Sequence, residues 1–394
     1  MIPADATGFR RCYEDFLGSE GSGPILLTGH SHQAWPRAAR DGMNACYEDA
    51  ARFVDDKWQR VSEVTDDVRR RVLVRLGFEE GDALTFGKST HELVFRLLGC
   101  LRPGSRVVTT TGEFHSLHRQ LSRLEEDRLG VDWVETSPRE TLAARLAAAM
   151  TPATGLVAVS AVLFEDASIV RGIEGVLDRA REVEALALVD AYHAFNVVPL
   201  AAGSALGPPW RDAFVTAGGY KYAQMGEGVC FMRVPASAAR LRPVYTGWFA
   251  DYASLDRPRA RGRQVEYGEG GARFAGATFD PVSLYRARAV LDHFDRFGLD
   301  VASLRAISLA QTERLLDAFR RGGLDVVSPL APEERGGFVA VRSPRAHDAV
   351  RALRARRVFV DARGDVLRAG PAPYLRDEEI DEGAAAIVDV LRSG

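Results

Sequence analysis

Ala185-Leu186-Ala187-Leu188-Val189-Asp190, and after it Ala217-Gly218-Gly219-Tyr220-Lys221-Tyr222, are the two segments that decide how this 394-residue chain reads. The first is a short apolar run ending in a carboxylate, the form of a buried strand that delivers one acidic group to the edge of a sheet. The second sets a lysine among glycine and aromatic residues. Only three of the 51 basic residues are lysine, namely Lys57, Lys88 and Lys221. Arginine is the usual cation of this chain, so a lysine in that setting was kept for its amine. A primary amine of lowered pKa is what imine chemistry with a carbonyl requires, and a guanidinium cannot supply it. A lysine left over on a loop is the plain alternative, and Asp190 is what weighs against it.

Outward from these segments, short apolar runs alternate with helical stretches. Strands are expected at Arg106–Thr110, Leu156–Val162, Leu186–Asp190, Ala213–Thr216 and Val229–Val234, with helices over 115–128, 138–150 and 171–184 between them. The alternation predicts an α/β fold with a mostly parallel sheet covered by helices, and ligands on such sheets bind outside the carboxyl ends of the strands. From about residue 281 the texture changes. A helical run from Pro281 to about Arg321 leads into strands at Gly337–Val341, Val358–Val360 and Val366–Arg368 and a last helix near 377–392. That predicts a large domain over 36–280 and a smaller α+β C-terminal domain over 281–394, which the segment 1–35 joins. The Arg/Pro/Gly-rich stretch 256–271 is expected to be a long mobile loop.

Composition excludes several classes of function. With 51 basic against 54 acidic residues the net charge is −3, which offers nothing to a polyanion, so nucleic acid is not an expected partner. No run approaches a membrane span, and the first residues lack the charged-then-apolar pattern of a signal peptide. Cys12, Cys46, Cys100 and Cys230 are scattered without a CxxC pair, so neither a disulfide framework nor a metal site is expected, and reduced thiols fit a cytoplasmic protein.

Two further segments lie where the sheet would present its carboxyl edge. Thr85-Phe86-Gly87-Lys88-Ser89-Thr90-His91-Glu92 reads as a glycine turn running into a helix over 91–101. Ser89 and Glu92 form an S-x-x-E capping box, itself a sufficient structural explanation, and the same free N–H groups and hydroxyls make a phosphate seat. Thr111-Gly112-Glu113-Phe114-His115-Ser116 follows an expected strand, where Phe114 could stack on a planar ligand or simply pack. Asp190-Ala191-Tyr192-His193-Ala194 closes another. A carboxylate there could hold a pyridinium N–H, or cap a turn.

Phosphate seat, aromatic ring, Asp190 and Lys221 occur in the chain order of the pyridoxal-phosphate (PLP) enzymes of fold type I, and the chain resembles the class V aminotransferase group within it. It is most similar to kynureninase and its relatives. Asp190-x-x-His193-Ala194 resembles that family's D-x-x-H-A, and Tyr220-Lys221-Tyr222 with Gly226-x-Gly228 resembles its Y-K-Y and G-x-G. Thr246-Gly247-Trp248-Phe249 resembles G-W-W. Ala272-Arg273-Phe274-Ala275-Gly276-Ala277-Thr278 resembles R-F-x-x-G-T, and Asp361-Ala362-Arg363, Leu367-Arg368 and Pro371-Ala372-Pro373-Tyr374 resemble the D-x-R, I/L-R and P-x-P-L-Y ending. The resemblance spans roughly residues 25–378 and implies a seven-stranded sheet.

It also implies roles. Lys221 would link to PLP and move the Cα proton, Asp190 would bind the pyridine nitrogen, and His193 would lie beside the ring oxygen. Phe114 would stack on the ring, while Ser89, Thr90 and Tyr220 would take the phosphate. Thr278 and Trp248 would reach the phosphate of a neighbouring subunit, which implies a homodimer with shared sites. Arg368 would grip the α-carboxylate of an amino-acid substrate through a two-pronged ion pair. Gly219 stands where relatives commonly have Ser or Thr, which puts more weight on Tyr220, with Lys88 nearby as a further cation. Gly29-His30-Ser31-His32-Gln33-Ala34-Trp35-Pro36 replaces the family's G-N-S-L-G. His30, His32 and Trp35 are therefore expected to shape an altered substrate pocket, and Ala277-Thr278-Phe279-Asp280 replaces the asparagine-type contact to kynurenine's aromatic amine.

Hydrolytic or eliminative cleavage of an amino-acid side chain fits these motifs best. Transamination and decarboxylation-deamination use the same residues in their early steps and stay open, as does a catalytically inactive binding protein on the same fold. A cysteine desulfurase needs a nucleophilic cysteine in the C-terminal half, and none follows Cys230.

Overall fold

The computed structural model describes residues 6–19, 23–127, 129–200, 206–255 and 264–393. Its centre is a seven-stranded sheet in the spatial order Ala83–Gly87, Cys230–Val234, Ala213–Gly218, Leu186–Asp190, Thr154–Ser160, Arg106–Thr110, Gly130–Val134. Cys230–Val234 runs antiparallel to both neighbours and every other adjacent pair is parallel. The exception has a local cause. The short connection from Gly218 to Cys230 leaves no room for a helical crossover, and Gly226 (φ 67°) and Gly228 (φ 89°) take left-handed backbone that lets the chain reverse. Six strand ends of one polarity therefore meet at one edge, where the segments around Ser89, Phe114, Asp190 and Lys221 lie.

The interior strands are apolar along their length, as burial on both faces demands: Ala187, Leu188 and Val189 are buried, and so are Phe214, Val215 and Ala217. Two strands escaped the sequence pattern. Gly130–Val134 is an edge strand whose apolar run is interrupted by Asp132. Ala83–Gly87 includes Thr85, Phe86 and Gly87, so the expected glycine turn is instead the end of a strand. The strand expected to reach Val162 stops at Ser160, and Val162 bridges Ile169.

The helical run from Pro281 is two helices, Val282–Arg296 and Val301–Arg321. Gly298 (φ 66°) ends the first, and Asp300 caps the second by accepting the Ser303 N–H at 2.7 Å. Val282–Arg296 packs along Arg37–Phe53 and Lys57–Leu76.

A second, antiparallel sheet has the order Asp361–Arg363, Val366–Ala369, Val339–Arg342, Asp325–Val326, and Asp377–Arg392 packs with Val301–Arg321 and Ala346–Ala355. Ile25–Leu26 pairs in parallel with Val358–Phe359, and Thr28 bridges Gly370. That pairing fixes Gly29 and His30 beside the strand that carries Arg368. Of the stretch expected to be a mobile loop, residues 256–263 lie outside the described residues, and from 264 the chain runs without regular structure into the 3-10 turn Gly270–Phe274. Among the described residues no helix is long and apolar enough to cross a membrane.

Candidate active site

Lys221 follows the strand Ala213–Gly218 by three residues, and its side chain is buried. Its amine lies 2.7 Å from His193 Nε2, 4.6 Å from the centre of the Tyr192 ring, 5.3 Å from that of Phe114 and 5.8 Å from that of Tyr220. Burial pushes the ammonium pKa down to about 7; Asp190 pulls it up and Arg368 pushes it down further. The amine is thus substantially uncharged at neutral pH, the form that attacks a carbonyl.

Asp190 ends its strand and accepts the backbone N–H of Tyr192 at 2.8 Å. Burial raises its carboxyl above the usual range, while the Tyr192 N–H and Lys221 pull it back. His193 is held well below the usual imidazole pKa by burial and by Lys221, and its Nδ1 is buried without a hydrogen-bond partner. A neutral imidazole with one unused nitrogen beside an amine can pass or accept a proton.

Phe114 occupies the N-cap position of the helix His115–Glu125 and meets Phe164 edge-on at 5.6 Å. The Phe164 carbonyl accepts from Arg368 Nη1 at 2.5 Å, so the ring-stacking candidate and the carboxylate-binding candidate share one neighbour. Ser89 caps the helix Thr90–Leu98, accepting the Glu92 N–H at 3.2 Å. Glu92 returns not to Ser89 but to the Lys88 N–H, at 3.1 Å, displacing the expected capping box by one residue. The Thr90 N–H lies against the Cys230 sulfur, which is 3.7 Å from the Tyr192 hydroxyl, and Tyr192 packs 5.1 Å from Tyr220. The helix N-terminus therefore opens beside the same aromatic pair that flanks Lys221. A Cβ at Gly218 would collide with the Tyr192 hydroxyl and the Cys230 sulfur, which is why this position takes glycine.

Residues 304–387 match the family described as the kynureninase C-terminal domain. The whole chain is similar to solved structures of cysteine desulfurase from Thermococcus onnurineus NA1 (17% identity, 100% of this chain and 99% of that one, TM-score 0.80) and of the cysteine desulfurase CsdA from Escherichia coli (15%, 98% and 98%, 0.77). A third is the cystine C-S lyase C-DES in complex with its product cysteine persulfide (19%, 93% and 98%, 0.77). The matched C-terminal region, 304–387, is kynureninase-like, and the fold of the chain is fold type I. No curated protein sequence matches it significantly.

On this fold type I scaffold, the structure brings Lys221, Asp190, His193, Phe114, Tyr220, Ser89 and Thr90 to one sheet edge, and Arg368 reaches it from the second sheet. Trp248 and Thr278 lie elsewhere, on adjoining exposed segments tied by the Phe249 N–H to Gly276 O bond of 3.1 Å. His32 is exposed beside Tyr220, 5.8 Å between ring centres. Trp35 does not join the group around Lys221: its ring lies under the Arg286 guanidinium at 4.7 Å and against Gly226, a cation–π contact that uses its face. His30 is fully buried and bonded to Asp361, so it cannot line a pocket as a free imidazole.

Two acidic residues of this candidate site were given no role from sequence, although Asp361 stood in the D-x-R motif. Glu113 is buried next to Phe114. It accepts the Thr110 hydroxyl at 3.0 Å, the Ser160 N–H at 3.0 Å and the Ser160 hydroxyl at 2.6 Å, and burial pushes its carboxyl up to about 7 against the pull of Ser160. In sequence its T-x-x-E spacing looks like one more helix cap. Asp361 pairs with Arg368 through Oδ1–Nε at 2.8 Å and Oδ2–Nη2 at 2.6 Å. Counting outward from the Gly364 turn would have found that pair, since the two residues face each other in the hairpin register.

Proposed function

We propose that the protein is a PLP-dependent enzyme that cleaves the side chain of an α-amino acid, by hydrolysis or elimination, in the manner of kynureninase. One observation carries the reading: a buried lysine of lowered pKa lies beside both an aromatic ring and a neutral histidine, at the sheet edge that also carries Asp190. When bound, PLP supplies an electron sink that stabilises negative charge at the substrate Cα. The residues present fit that group: an amine able to link, a buried carboxylate with little competition for its oxygens, an imidazole with an unpartnered nitrogen, and a helix N-terminus with two hydroxyls.

In this reading Asp190 holds the pyridine N–H, and Phe114 covers one face of the ring. Ser89, Thr90 and Tyr220 take the phosphate through hydroxyls and helix N–H groups. Lys221 carries the cofactor and then receives the Cα proton, with His193 2.7 Å away to share it. Arg368 holds the α-carboxylate. Trp248 and Thr278 serve the neighbouring subunit's phosphate in a homodimer. His32 lines the mouth beside Tyr220, where it favours a planar or polar side chain.

Desulfurase chemistry is disfavoured at this site. Cys230, the one cysteine beside it among the described residues, has its thiol pushed up to about 11 by burial and is not a thiolate at neutral pH. The cystine lyase among the similar structures supports side-chain cleavage on this scaffold. Purified protein should absorb at the visible band of lysine-bound PLP and, after borohydride reduction, carry the added mass on the peptide containing Lys221. Incubation with kynurenine, 3-hydroxykynurenine, cystine, aspartate and alanine, followed by mass spectrometry, should show from at least one of them a side-chain fragment, together with a shortened amino acid if the cleavage is hydrolytic or with pyruvate and ammonia if it is eliminative. A keto acid that keeps the whole carbon skeleton of the substrate, with no side-chain fragment, would move the reading to transamination.

A further inference from the structure

Arg368 is 3% exposed, and its fork is already filled by its own chain. Nε and Nη2 bind the two Asp361 oxygens, and Nη1 binds the Phe164 carbonyl. Of the five guanidinium N–H groups three are used in this way, which leaves one on each terminal nitrogen for an incoming carboxylate. Where those two point depends on the plane of the guanidinium, and Asp361 sets that plane.

Asp361 is in turn held by His30. Nε2 lies 2.8 Å from Asp361 Oδ1, and Arg363 approaches Oδ2 at 3.8 Å. His30 arrives from the other end of the sequence, locked to this hairpin by the Thr28–Gly370 bridge and the Gly29 N–H to Gly370 O bond of 2.7 Å. Its ring packs 4.7 Å from that of Phe338, which also lies 5.6 Å from the Arg368 guanidinium and 5.8 Å from the His193 ring. With no exposed surface, His30 does not reach a substrate. Asp361 is ionised and can only accept, so Nε2 must carry the ring's hydrogen, and the buried Nδ1 has no partner.

We infer that His30 is a positioning residue for α-carboxylate recognition: its Nε2–H fixes the Asp361 carboxylate in the plane of Arg368, and so aims the two remaining Arg368 N–H groups at the substrate. This rests on the reading of Arg368 as the carboxylate clamp. Without the His30 bond, Asp361 Oδ1 keeps only the Arg368 Nε–H, and since the last torsion of an aspartate is broad, the carboxylate and the guanidinium can then tilt together as a pair. Deleting the supporting partner of a metal ligand weakens binding by about tenfold or more, and a loss of the same order is expected for a supported guanidinium.

Two measurements test it. Nitrogen-15 NMR of the cofactor-free protein should show His30 in the Nε2–H tautomer with a slowly exchanging proton; an Nδ1–H tautomer overturns the inference. Calorimetry on the PLP-loaded protein should compare L-alanine with ethylamine, which lacks the carboxylate. His30→Phe keeps the ring packed on Phe338 and removes the donor. It should weaken L-alanine by about tenfold, leave ethylamine unchanged and shift the Arg368 Nε–H resonance, and His30→Gln, which restores a donor, should recover part of the loss. If His30→Phe retains wild-type preference for L-alanine while Arg368→Lys loses it, the relay is wrong and the clamp stands. If both retain it, the clamp reading falls as well. Should His30→Phe fail to fold, the tautomer and the His30→Gln binding ratio still decide.

Discussion

Lys221 Nζ and His193 Nε2 are 2.7 Å apart with both side chains buried. Two bases that close, in a site this dry, do not both hold a charge, and the pair leaves the amine free near neutral pH. On mixing cofactor-free protein with PLP, the rate at which the visible band appears should rise with pH and level off above about 7, not near the ordinary lysine value of 10.5. A midpoint near 10 would show that the amine is an ordinary one.

The same burial costs stability. Unfolding returns Lys221 to water, where it regains a proton at any pH below 10.5, whereas the folded amine holds it only below about 7. The unfolded state therefore binds more protons between those values, and the penalty, full below 7, fades as pH rises towards 10.5. Lys221→Met should raise the Tm of the cofactor-free protein at pH 7 and leave it nearly unchanged at pH 10. A gain of equal size at both would assign it to packing.

Lys221→Ala should abolish turnover and leave bound PLP dialysable, with no mass added on borohydride reduction. Asp190→Asn should keep the fold, because the Tyr192 N–H to side-chain bond survives in an amide oxygen, and lose several powers of ten in kcat. Near-normal turnover in the asparagine variant would point to Glu113, the other buried acid at this edge.

Arg368→Lys keeps a positive charge and loses the planar fork. A fall in kcat/KM equivalent to roughly 2–5 kcal/mol is expected for the α-amino acid substrate, as for truncation of a desolvated charge pair. Wild-type kcat/KM in that variant would reject the clamp.

Trp248 is 40% exposed, and Tyr245, Tyr252 and Leu255 of the same segment are exposed with it, side chains that a partner subunit would cover. Sedimentation should find a dimer, and Trp248→Glu should shift it towards monomer and weaken PLP binding together. A fully active monomer at assay concentration would remove the shared site.

Much of the site was legible because its members sit at local punctuation. Asp190 ends an apolar run, Ser89 starts a helix, Phe114 stands at a strand-to-helix junction, and Lys221 is conspicuous in a chain that otherwise uses arginine. The sheet's rhythm was readable for the same reason, since buried parallel strands leave continuous apolar runs. Where a strand lies at the edge, as Gly130–Val134 does, or is as mixed as Ala83–Gly87, that signal is lost.

Sequence by itself therefore determined the alternation of the buried interior strands with helices, the lysine and the acid at the sheet's carboxyl edge, and the motifs that resemble kynureninase, because each is a property of a few neighbouring residues. Only tertiary structure decided that His30 supports Asp361 from 331 positions away, that Trp35 lies under Arg286 rather than beside Lys221, and that Glu113 is a buried acid. Those outcomes depend on which segments distant in sequence pack together and on strand register, for which no local period in the sequence carries a signal.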